Sequence, residues 1–159
     1  MTGMHIDIIA VGRLKERFWV DACAEYLKRL GRYAQVTVTE VNDQDMRFAG
    51  NSDLVLKAEG QLLEKRIPLD GYSIMLDRAG VQLESVELAE LIVKLQSNGI
   101  SRLAFVIGGS WGIDAPLKER ADRMISLGAI TLPHNLCRVV LLEQLYRCFR
   151  IIQGEPYHK

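Results

Sequence analysis

Two stretches of the chain hold residues that could do chemistry. Near the C-terminus, PHNLCRVVLLEQLYRCFRIIQGEPYHK strings Arg138, Glu143, Tyr146, Arg147 and Arg150 along one helical run, and the tail after Gly154 closes on Tyr157, His158 and Lys159. Within three residues that tail supplies a stacking ring, an imidazole for proton transfer and a positive charge. As a bare chain end it also reads as a frayed terminus. Apolar residues go most of the way round the helix, so it needs cover on more than one side, from its own sheet or from a second subunit. His134 and Cys137 have a spacing that could share a metal, but no second ligand pair accompanies them, so packing is the favoured reading and no metal is expected.

The second stretch is FVIGGSWGID (105–114), an apolar run that ends in Gly108, Gly109 and Gly112. Glycines between a strand and a helix let the backbone approach a ligand closely, or simply make a tight turn. Phosphate chemistry does not fit. A Walker A loop requires Lys and Ser or Thr after its second glycine, where this chain has Ile113 and Asp114, and the G-G-x-x-G spacing late in the chain is not a dinucleotide fingerprint.

The elements that must position these residues belong to a chain of 159 residues, 48% apolar and 25% charged, enough for one sizeable core and a single domain over 1–159. Twenty basic and twenty acidic residues cancel, which gives no overall sign of a nucleic-acid or membrane partner. The distribution is uneven: residues 1–35 hold six basic and four acidic groups, 36–100 six and eleven, and 101–159 eight and five. Three cysteines without a C-x-x-C pair argue against disulfides and a cysteine-rich zinc site. No basic leader precedes an apolar run and no segment approaches the ~20 apolar residues of a membrane span, so a cytoplasmic protein is expected.

Strand and helix signals alternate. Strands are expected at 5–12, 35–41, 72–77, 102–108 and 126–133, and helices at 15–30, 53–66, 84–98 (with Ser85 as N-cap), 116–124 and 136–152. That order predicts an α/β fold with a mostly parallel sheet flanked by helices. In such sheets ligands bind beyond the carboxyl ends of the strands, which directs attention to 76–80, 108–112 and 127–132. These loops offer main-chain groups, glycines and apolar walls such as Leu76, Ile130 and Leu132. They suit a neutral or cationic ligand with an adenine ring, and taken singly the walls also read as ordinary core.

AVGRLKERFW, FVIGGSWG, TLPHNLCRVVLLEQLYR and the terminal PYHK, in this order, resemble the ribosomal RNA methyltransferases of the RlmH (YbeA) family, a minimal branch of the SPOUT superfamily, over essentially the whole chain. The resemblance implies a homodimer whose C-terminal segment forms a deep trefoil knot, a topology that general rules of chain connection would not suggest. It implies S-adenosyl-L-methionine as cofactor, held by Leu76, Gly108, Leu127, Gly128, Ala129, Ile130, Thr131 and Leu132. The reaction it implies is methylation of N3 of pseudouridine 1915 in 23S rRNA, in the assembled 70S ribosome.

Such a transfer requires an in-line approach and removal of the imide proton, by a base or with a cation on the imidate oxygens. His158, Glu143 and His134 are candidate bases. Arg138 with the Tyr157 and His158 tail is the favoured catalytic set, the tail coming from the same chain or from the partner subunit. Arg13, Lys15, Arg17, Arg147, Arg150 and Lys159 are the candidate RNA-docking cations. Two other classes stay in view: a nucleotide-dependent α/β enzyme, which AVGRLKE disfavours with its single glycine, and a non-catalytic ribosome-docking module.

Overall fold

The computed structural model describes residues 3–157, in which MHIDIIAV forms strand β1 (Met4–Val11), buried at every position but His5. A strand apolar on both sides belongs in the middle of a parallel sheet covered on both faces. β1 pairs in parallel with β2 (Ala34–Val41) and β4 (Arg102–Ile107), and β3 (Tyr72–Gln82) pairs with β4 and with β5 (Arg123–Ser126). The sheet order is β2-β1-β4-β3-β5.

The period-2 alternation of the strands divides the core in two. Ile6, Ile8, Ile74, Leu103 and Phe105 face one side, where they meet the helices α1 (Arg17–Leu30), α3 (Ser85–Ser97) and α5 (His134–Ile152) through residues such as Cys23, Ile92, Leu142 and Phe149. Ile9, Val11, Met75, Ala104 and Val106 face the other, against Leu63 of α2 (Ser52–Glu64) and Leu117 of α4 (Ala115–Arg120). The expected α/β architecture is the observed one. The one polar side chain buried inside β1, Asp7, takes both Nε (2.8 Å) and Nη2 (3.2 Å) of Arg102 across the sheet, the fork geometry that best offsets burial of a carboxylate.

Four local expectations are corrected. The fifth strand runs over 123–126, because Asp122 already docks on β3: its N–H donates to Ser73 O, and its carboxylate accepts from Ser73 N–H at 2.8 Å. That early docking also stops α4 at Arg120, and the 127–133 segment, with Gly128 at φ +126°, is loop. β3 continues past Asp77 to Gln82 through a register slip between Leu76 and Val81. Helix α3 is capped by Glu84, whose N–H donates to Glu87 Oε1 at 2.8 Å in a capping box; Ser85 instead donates its hydroxyl to Gln144 of α5.

Candidate functional site

The carboxyl ends of β3 and β4 and the loop after β5 meet α5 at one edge of the sheet, and two cavities open there with Leu76 in the wall of both. One, of about 250 Å³, is largely apolar: Leu83, Leu88, Phe105, Leu127 and Leu141 line it, with Ser126, Gly128 and Gln144 at its polar edge. The other, of about 540 Å³, is rooted on Gly108, Gly109 and Gly112 and bounded by Thr131, Leu132, His134 and Cys137. Gly108 is required by packing. A Cβ on Gly108 would lie 2.6 Å from the carbonyl carbon of Gly112, so no larger residue fits where the loop folds back on itself.

Of the eight cofactor positions expected from sequence, Leu76, Gly108, Leu127, Gly128, Thr131 and Leu132 line these cavities, whereas Ala129 and Ile130 do not, and Ile130 is 79% exposed. Arg78, which sequence reasoning missed, holds the 127–132 loop in place. Its guanidinium donates to Ala129 O (3.1 Å) and Thr131 Oγ1 (3.2 Å), an arrangement that the register slip makes possible by turning 77–80 out of the sheet.

Arg138 is 3% exposed and lines neither cavity. Its Nη1 donates to Glu40 Oε2 at 2.5 Å and its Nη2 to Gly12 O at 3.1 Å, tying α5 to the ends of β1 and β2, while its Nε has no partner. Glu40 was not foreseen, because an acidic residue near the end of an alternating strand carries no signal of a partner 98 positions away. Of the candidate bases, His134 lines the glycine-rooted cavity. Glu143 accepts from Tyr157 Oη at 2.6 Å and lies 3.5 Å from Arg147. Tyr157 packs edge-on against Tyr146 with the Arg147 guanidinium 4.2 Å from its ring centre, and its phenol is pushed up to about 12 by burial and then by the bond to Glu143. As far as Tyr157 the tail therefore lies along α5 of its own chain, and none of its described residues lines either cavity. His158 and Lys159 lie outside the described residues.

Arg147 and Arg150 are not spare cations. Arg150 donates to Tyr33, Glu155 and the Pro156 carbonyl. Arg13 and Lys15 are exposed, and Arg17, 91% exposed, lies 3.6 Å from Asp21. Among the described residues no group of three or more His, Cys, Asp or Glu could hold a metal, and no helix is long and apolar enough to cross a membrane.

A family model described as "Predicted SPOUT methyltransferase" matches residues 4–158. The chain belongs to the SPOUT methyltransferases. Within that family it is 45% identical over 98% of its length, and over the whole of the relative, to Ribosomal RNA large subunit methyltransferase H of Carboxydothermus hydrogenoformans. It is 46% identical, with the same coverage, to the protein of that name from Listeria welshimeri, which puts it in the RlmH branch. Two solved SPOUT-like folds are more distant, both at 14% identity. A probable methyltransferase from Bordetella pertussis has a TM-score of 0.57 over 91% of this chain and 94% of its own. A probable methylase family protein from Haemophilus influenzae has a TM-score of 0.54 over 99% of this chain and 71% of its own.

Proposed function

We propose that this SPOUT protein uses S-adenosyl-L-methionine to methylate N3 of pseudouridine 1915 in 23S rRNA of the assembled 70S ribosome, and that it acts as a homodimer. The observation that carries the reading is full-length identity of 45% to a protein named as a large-subunit rRNA methyltransferase. The trefoil knot of the C-terminal segment is part of the same reading, supported by family membership.

The residues at the sheet edge fit the cofactor. The apolar cavity suits an adenine ring between Leu76, Leu127 and Leu141, with main-chain groups around Gly128 at its edge, and the Gly108–Gly112 backbone suits the amino-acid end. When bound, the cofactor supplies an electrophilic methyl carbon on a sulfonium. The chain's own work is then to hold the acceptor in line and to manage one proton.

In this reading His134, which lines the glycine-rooted cavity, takes that proton alongside the Tyr157 and His158 tail of the second subunit. Tyr157, kept protonated at neutral pH, serves this reading as a hydrogen-bond donor and stacking ring. Arg138 is the cation of the reading; its part requires the guanidinium to share its charge between Glu40 and the acceptor's imidate oxygen.

The test is methyl transfer from labelled S-adenosylmethionine to 70S ribosomes from a strain lacking the modification, with separate subunits and naked RNA in parallel and mass mapping of the product. Label on one pseudouridine of 23S rRNA in 70S particles alone is the expected result. Label elsewhere, or none despite cofactor binding, overturns the acceptor. A mixed dimer of one His158→Ala chain and one Arg138→Ala chain tests the shared site. Recovery of about half the activity is expected, from one intact composite site of two; no recovery removes the tail's role in trans.

A further inference from the structure

Helix α2 turns Val55, Glu59 and Leu63 inward at i, i+4 and i+8, so a carboxylate occupies the middle of an apolar stripe. Glu59 is 2% exposed, and among the described residues none of the ion pairs reaches it. Its Oε2 accepts from Gln44 N–H at 2.9 Å, while Oε1 is buried with no partner. Burial pushes its pKa up, and Asp45 and Asp43 push the same way against the Gln44 bond. Such a group costs stability, so its place calls for a reason outside packing.

What Oε1 faces supplies the reason. A Cβ on Gly109, in the loop at the root of the larger cavity, would lie 3.0 Å from Oε1 and 3.0 Å from Val11 Cγ1. The neighbouring Gly60 packs the helix equally tightly on Asp114, at the other end of the same loop. On its far side Glu59 holds Gln44, and the 42–51 segment that contains Gln44 is joined to the glycine loop a second time by Trp111 Nε1 donating to Asp45 Oδ1 at 2.9 Å.

We propose that Glu59 is a positioning residue for methyl transfer, clamping the Gly108–Gly112 loop to the 42–51 segment with one oxygen against Gly109 and the other on Gln44, so that cofactor binding at the first orders the second. The inference rests on the reading of the cleft as the S-adenosylmethionine site.

The chain has two tryptophans, and Trp19→Phe leaves Trp111 as the only reporter. In that background, S-adenosylmethionine is titrated by calorimetry and by Trp111 emission, and the kinetics are measured on 70S ribosomes. The expected result for Glu59→Ala is a Kd and KM for the cofactor raised about tenfold, a kcat at saturation changed less than about threefold, and loss of the Trp111 emission change. Glu59→Gln, which keeps an acceptor for Gln44, restores most of each. A folded Glu59→Ala with parental Kd and parental emission change overturns the proposal, as does a Glu59→Gln as impaired as the alanine. Should the alanine variant not fold, Glu59→Asp, which draws the acceptor back by one methylene, carries the test with the same outcomes. A parent that binds no S-adenosylmethionine removes the cofactor reading, and this inference falls with it.

Discussion

Arg138 on α5 and Glu40 on β2 form an ion pair 2.5 Å long in which the arginine is 3% exposed and the carboxylate one-third exposed. The pair, with the Gly12 carbonyl, joins the last helix to the two strands at the sheet's other side. Removing one partner leaves the other partly desolvated, at a cost of about 3 kcal/mol for a mostly buried pair. Arg138→Ala is expected to lose that much in urea unfolding together with its activity. Glu40→Gln, which keeps a neutral acceptor, is expected to lose less stability and to show whether the freed guanidinium raises or lowers kcat.

Arg78 presents the opposite balance. Its bonds to Ala129 and Thr131 are exposed and span the cleft's rim, so Arg78→Ala is expected to change stability by no more than about 0.5 kcal/mol. Cofactor affinity falls several-fold, because the 127–132 loop loses its tether. Thermal unfolding and calorimetry, run side by side, separate the two effects.

At Gly108 a methyl group meets the Gly112 backbone at 2.6 Å and Ile113 Cγ1 at 2.9 Å. Backbone cannot swing aside as a side chain can, so Gly108→Ala is expected to displace the loop and weaken S-adenosylmethionine binding by at least about tenfold. Unchanged affinity in equilibrium dialysis would remove the loop from the cofactor site.

Burial pushes the Cys148 thiol from 9.0 up to about 12. A group raised in this way contributes its stability in full below pH 9.0 and loses it progressively as pH climbs toward about 12. Tyr157, raised from 10.0 to about 12, adds to the loss over the upper part of that window. The melting temperature is expected to fall steeply above pH 9, less so in Cys148→Ala once its own cavity cost is subtracted. A thiol reagent at pH 8 is expected to leave Cys148 unmodified until the chain is unfolded.

Much of this was written in the chain itself. Alternating apolar strands and amphipathic helices determined the α/β class, and strand-end glycines marked the loops of the candidate site, because both depend on periods and turn chemistry that operate over a few residues. Val55, Glu59 and Leu63 are spaced for one helix face, but only their burial in the fold shows the carboxylate turned inward. Only the tertiary structure decided that Arg138 answers Glu40 across 98 positions, that Asp122 ends α4 and starts β5 by docking on Ser73, and that Tyr157 lies on Glu143 of its own helix. Those partners are set by sheet order and helix packing. Contacts between residues distant in the chain leave no periodic trace in the sequence, so the edge that carries the candidate site became legible once the strands were in place.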